Sequence, residues 1–193
     1  MKALLYIAIP MLLMQANRIA AQNSYSTNKG VITFYAEAPV ANVDARNEKV
    51  KANFNPSTRE LTFDTDMADF QFKNSKMGRD AQTKYLETKK YPKANFKGKI
   101  SSKINYDKPG TYPVTVAGTL KIHGTEKKIT EKGVVTIKEK QIGLKSEFHV
   151  MLKDYNIETP KILGKEMTAD KVKVTVEAMV SEEQGLASRK KKN

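Results

Sequence analysis

Between Tyr112 and Ile137 the chain sets apolar residues or glycine at every second position in two consecutive runs, with one exception. Tyr112, Val114, Val116, Gly118, Leu120 and Ile122 share one face of the first run, and Pro113, Thr115, Ala117, Thr119 and Lys121 share the other. In the second run Ile129, Gly133, Val135 and Ile137 share a face with Glu131, the exception, while Thr130, Lys132, Val134, Thr136 and Lys138 lie opposite. A period of two sends alternate side chains to opposite faces of a sheet. Strands with one apolar and one wet face belong to antiparallel sheets folded around an interior. The same alternation predicts strands over Phe96–Tyr106, Ile142–Leu152 and Val172–Val180.

Upstream, Gly30–Ala38 reads as a first strand whose apolar residues are nearly contiguous, which leaves its facing open. Val50–Phe54 and Glu60–Asp66 form a hairpin across the turn cluster Asn55-Pro56-Ser57-Thr58, and Asp69–Lys73 adds Phe70 and Phe72. At Ser75 the period changes: Met77, Ala81 and Tyr85 recur every fourth residue and Leu86 widens the stripe. That predicts one short amphipathic helix ending before Tyr91-Pro92, placed to cover a sheet edge or a barrel end. Turns follow at Asp107–Gly110, His123–Glu126 and Lys138–Gln141, with a longer connection over Asp154–Asp170. The expectation is an all-β chain of eight or nine strands with one helix, in a single domain.

Its first residues stand apart. Lys2 precedes an apolar run, Ala3–Met14, and then a stretch ending in the small residues Ala20 and Ala21. This is the layout of a secretory signal peptide, short for a membrane span. The expected division is a signal peptide over 1–21, a barrel domain over 22–181 and a basic tail over 182–193, in a protein exported to the periplasm or the extracellular space. The sequence has no cysteine, which excludes a lipoprotein anchor, disulfides and thiolate chemistry. Formal charge is +13. Arg189, Lys190, Lys191 and Lys192 sit in the tail, while Lys97, Lys99, Lys103, Lys121, Lys132, Lys145, Lys171 and Lys173 alternate with apolar residues along strands. Lysines in that pattern cover a barrel exterior and protect sheet edges. Dispersed arginines without interleaved aromatics argue against nucleic acid. An anionic membrane surface is the candidate docking partner that this charge allows.

No catalytic constellation is visible. His123 sits in a turn, where it is expected to bond the Gly124-Thr125 turn, and His149 falls on an outward position. Two such histidines make neither a metal site nor a nucleophile's base. G-x-S-x-G, P-loop and dinucleotide fingerprints are missing. Asp64 and Asp66 share strand parity without a polar cleft to work in. The reading is a non-enzyme with no catalytic residues, no metal and no cofactor.

Three blocks carry a family resemblance. Phe72-Lys73-Asn74-Ser75-Lys76-Met77, with Tyr85-Leu86-Glu87, Tyr91-Pro92, Ala94 and Phe96-Lys97-Gly98, is the first. Val116–Lys127, with its glycine, leucine and isoleucine-histidine-glycine, is the second, and Phe148–Ile157 with Val172–Ala178 the third. Together they resemble the YceI-like lipid-binding family. The resemblance implies a lipocalin-like extended antiparallel β-barrel of about eight strands. It also implies an exported bacterial protein that holds a long-chain amphiphile, a polyisoprenoid or isoprenoid quinone, in its lumen. Many members carry an arginine-aspartate pair opening the helical segment; here Arg79-Asp80 is displaced from that place.

An eight-stranded barrel can be filled by its own side chains or hold one slender ligand, and the residues alone leave both open. Inward Gly98, Gly118, Gly133 and Ser146 contribute little volume, while Phe63, Phe72, Phe96, Phe148 and Leu152 can line a tunnel. Met77 and Tyr85 from the helix, with Phe34, Ile100, Val116, Gly118, Leu120 and Val135 from strands, complete the ligand-binding candidates. Adaptable methionine contacts are also available at Met67 and Met167. Asn74, Arg79, Asp80 and Lys84 are the head-group candidates at the mouth. The alternative is a packed barrel that docks through its basic surface onto an acidic envelope or partner.

Overall fold

The computed structural model describes residues 24–37, 42–158 and 170–182, with the backbone alone at 161–162 and 165–166. The expected signal peptide, the run Arg189–Lys192 and Met167 lie outside the described residues. The strands are β1 (Tyr25–Ala36), β2 (Val43–Asn55), β3 (Glu60–Asp66), β4 (Gln71–Phe72), β5 (Lys93–Ile100) and β6 (Gly110–Ile122). They continue as β7 (Thr125–Lys138), β8 (Gln141–Met151), β9 (Lys161–Ile162), β10 (Lys165–Glu166) and β11 (Lys171–Glu182). Helix α1 covers Ser75–Asp80 and runs on as a π-helical turn over Ala81–Tyr85.

The main sheet runs β1-β11-β8-β7-β6-β5-β3-β2, all antiparallel, and β1 pairs with β2 as well as with β11, so eight strands close on themselves. The two-residue β4 extends β2 beyond β3, and β9 pairs with β10. Closure removes the exposed edges that an open sheet of this length would present. Register keeps inward positions together. Ala52 faces Phe63, Phe63 faces Phe96, Phe96 faces Leu120, and Ser146 faces both Gly133 and Val176. The alternation read over Tyr112–Ile137 is the register seen.

Several expected boundaries move. β1 starts at Tyr25 and β2 at Val43, both well before the apolar signal. Between Asn47 and Val50 the inward parity of β2 slips by one residue, because Gly30 pairs with Val50 while Ile32 pairs with Asn47. Such a bulge hides the alternation. Asn47 mends the gap it leaves. Its amide nitrogen donates to Thr65 Oγ1 (2.8 Å) and to the Asp66 carbonyl (3.1 Å), and its Oδ1 accepts from the Lys49 amide (2.8 Å).

β5 ends at Ile100 rather than running to Tyr106. Ser101 bonds the Thr115 carbonyl through both its amide and its hydroxyl, and Ser102 Oγ accepts from the Thr115 amide. These side chains take the place of a continuing ladder, and the chain turns under the barrel. There Tyr106 stacks on Phe54 with ring centroids 5.5 Å apart, and Ile104 and Tyr112 join them against Ile100, Val135 and Val180. This end of the barrel is packed shut. Of the span Asp69–Lys73 only Gln71–Phe72 is strand, and the helical segment ends at Tyr85, before Tyr91-Pro92 as expected.

Candidate functional site

Above that packed base the barrel is hollow. A cavity of about 720 Å³ runs from Leu61, Ile100 and Val114 up to the helical segment. It lies within the roughly 300–1,000 Å³ that small-molecule sites occupy. Every ligand-binding candidate except Gly118 lines it: Phe34, Phe63, Phe72, Met77, Tyr85, Phe96, Ile100, Val116, Leu120, Val135, Phe148 and Leu152. Met67, Phe70, Ile122, Ile129, Val174 and Val176 line it too. The strand parity that found the first group passes through most of the second.

Gly118 corrects the expectation of an open lumen at that level. It stands opposite Gly98, and a Cβ on it would meet Phe96 Cζ at 2.6 Å and the Lys97 carbonyl oxygen at 2.5 Å. The Phe96 ring roofs both glycines. Phe96, not Gly118, presents to the cavity.

At the upper end α1 lies over an aromatic cluster in which Phe34 meets Phe70 at 5.2 Å and Phe72 at 5.5 Å. Asn74 caps the helix, its Oδ1 accepting from the Lys76 and Met77 amides at 3.1 Å each. Gly78 packs on Phe72 so closely that a Cβ would fall 2.7 Å from the Phe72 Cβ. Of the head-group candidates, Asn74 and Asp80 reach the cavity while Arg79 and Lys84 do not. Lys84 instead bonds Asp80 at 2.9 Å, which holds the Asp80 carboxyl below its ordinary range and raises the Lys84 ammonium. Lys76, which was not a candidate, does border the cavity.

The wall loses its ladder along part of the β7–β8 seam. β7 and β8 pair from Lys138–Gln141 back to Gly133–Ser146, and no ladder pair joins them above that point. The last link is a side chain: Ser146 Oγ donates to the Lys132 carbonyl at 2.7 Å. Past it, the 3-10 turn Leu152–Tyr155 and Ile157 pack with Leu120, Ile129, Phe148 and Val150. Two contacts fasten this segment to the β6–β7 end. Asn156 donates to Thr125 Oγ1 at 2.9 Å, and a His123 ring nitrogen lies 3.2 Å from the Tyr155 carbonyl oxygen. The other His123 nitrogen lies 2.9 Å from Glu87 Oε2, and the Tyr91 ring covers the imidazole at 4.1 Å. His123 therefore ties together two segments distant in sequence, rather than the turn that was expected.

Glu131 projects from the inward face of β7 into this region, paired across the sheet with Val116 and bordering the cavity. Burial first, then the charges of Asp154 and Glu131, hold the Tyr155 hydroxyl above its ordinary value. Among the described residues no group of three or more histidine, aspartate or glutamate side chains could hold a metal ion.

A closed eight-stranded barrel with a capping helix and an apolar lumen has known counterparts. The sequence matches the YceI-like domain over residues 24–180. The chain belongs to the YceI-like family. Among solved structures, a polyisoprenoid-binding domain from Saccharophagus degradans superposes with a TM-score of 0.69 at 13% identity, covering 84% of this chain and 99% of that one. BcnA of Burkholderia cenocepacia gives 0.65 at 17%, covering 79% and 96%. The YceI protein of Campylobacter jejuni gives 0.55 at 19%, covering 82% and 86%. No curated protein matches the sequence. At these identities the solved structures establish the YceI-like fold.

Proposed function

We propose that this YceI-like protein is an exported carrier that holds a long-chain isoprenoid-type amphiphile, a polyisoprenoid or isoprenoid quinone, in its lumen for transport, storage or sequestration. The observation that carries the reading is the apolar cavity of about 720 Å³ between the packed base and the helix. A barrel evolved only as an interaction module would fill that space with its own side chains. Each methylene withdrawn from water there contributes about 0.8 kcal/mol, so a long chain offsets the cost of ordering it. Such a site selects for length and apolarity more than for detail. The polyisoprenoid-binding relative from Saccharophagus degradans supports the same ligand class. The leader-like start of the sequence supports export to the periplasm or beyond, and the lysine-rich exterior suits docking to an anionic membrane surface.

The test is native mass spectrometry of the protein purified without detergent, followed by solvent extraction. The expected result is a discrete added mass that yields a long-chain amphiphile. A bare mass that persists after incubation with polyprenols and isoprenoid quinones overturns the carrier reading in favour of a docking protein.

A further inference from the structure

Resting on the carrier reading, we infer that Glu131 and Ser146 form a polar subsite inside the lumen that selects cargo by a hydrogen-bond donor: an alcohol, hydroquinone or amine group rather than a phosphate, carboxylate or quinone. Glu131 shares the inward face of β7 with Ile129, Gly133 and Val135. It takes no hydrogen bond and no ion pair among the described residues. The other charged residues along the cavity differ. Lys76 and Asp80 belong to the helix over the mouth, Glu158 follows the segment beside β7, and Lys145 sends its ammonium outward to Glu177 at 2.6 Å. On β7 itself Lys128 and Lys132 occupy the outer face, and Lys127 stands exposed opposite Leu120.

Ser146 is the second element. Its hydroxyl hydrogen goes to the Lys132 carbonyl, which leaves the oxygen to accept. Gly133, directly across from Ser146, adds no side chain, so the two polar groups face open cavity. Together they offer acceptors only. An apolar chain drawn past Glu131 would strip water from the carboxylate without replacing its hydrogen bonds, which is costly. A ligand hydroxyl or ammonium replaces them, and an anionic or acceptor-only head adds repulsion. The discrimination is therefore built into mid-wall, away from the helix.

Equilibrium binding to the full-length protein of geranylgeraniol, geranylgeranylamine, geranylgeranyl phosphate and the hydrocarbon phytane tests this. In the wild type the alcohol and the amine bind about tenfold or more tightly than the phosphate. Glu131→Leu brings all three within about threefold, and Glu131→Gln, which keeps shape and an acceptor oxygen, retains the alcohol but loses the amine's advantage. Equal wild-type affinities, or a preference that survives Glu131→Leu, overturn the inference while leaving the carrier reading intact. Failure of all four compounds, phytane included, to bind the wild type removes both.

Discussion

Gly118 lies face to face with Gly98 across β5 and β6, under the ring of Phe96. The pair lets an aromatic side chain lie flat on the sheet and reach the lumen from a strand that would otherwise hold it upright. Gly118→Ala puts a methyl 2.6 Å from Phe96 Cζ and 2.5 Å from a backbone carbonyl oxygen. The expected cost is about 1–3 kcal/mol, read from urea unfolding, with Gly98→Ala similar. Unchanged stability in both would mean that Phe96 is free to move away.

Val116 lines the cavity without meeting such a roof. Val116→Trp is expected to fill the lumen and strip co-purifying lipid, with a stability change of about 1 kcal/mol or less, since it expands into open space. Native mass spectrometry alongside urea melts checks both halves.

Tyr106 is half-buried at the base, and its hydroxyl, shut off from solvent, has no partner among the described residues. Tyr106→Phe is expected to leave stability unchanged or raise it by about 1 kcal/mol at neutral pH. Burial raises the Tyr106 hydroxyl above its ordinary 10.0. The unfolded chain therefore loses this proton first, so the contribution is full below pH 10.0 and fades as pH rises towards the folded value. Thermal melts should fall above that pH, less steeply in Tyr106→Phe; parallel pH profiles would contradict the assignment.

Asn47 is 1% exposed and bridges β2 to the end of β3. Asn47→Ala leaves the Lys49 amide and Thr65 short of partners and should cost about 1–3 kcal/mol. Amide exchange at Lys49 should speed up with it.

The strands from Gly110 onward were legible in the sequence because each is half-wet, and alternation then reports facing directly. The first residues and the facing of β1, and the first half of β2, were not. Their bulges break the period, and Ala45 and Asn47 are buried without an apolar signature. Parity placed Phe63, Phe96 and Phe148 inward and they are there, but it carries no information on what lies across the lumen. Hence the sequence could not separate a hollow barrel from a filled one, nor foresee that Phe96 covers Gly118. Arg79 and Lys84 were chosen as polar residues of the helix at the mouth. The helix axis turns them to solvent and brings Lys76 to the cavity instead. Glu131 was visible as the one break in an apolar face, a signal of polarity without a statement of purpose.

The bore of this barrel is not fixed by strand number alone. On the β7–β8 seam the ladder stops at Gly133–Ser146, and above it the two staves part company. There the wall is sealed by Leu152–Ile157, held by packing and by two tethers to Thr125 and His123. Widening the hoop at that stave would break the Ser146–Lys132 link and the two tethers but no ladder pair, so the remaining circumference would keep its pairing.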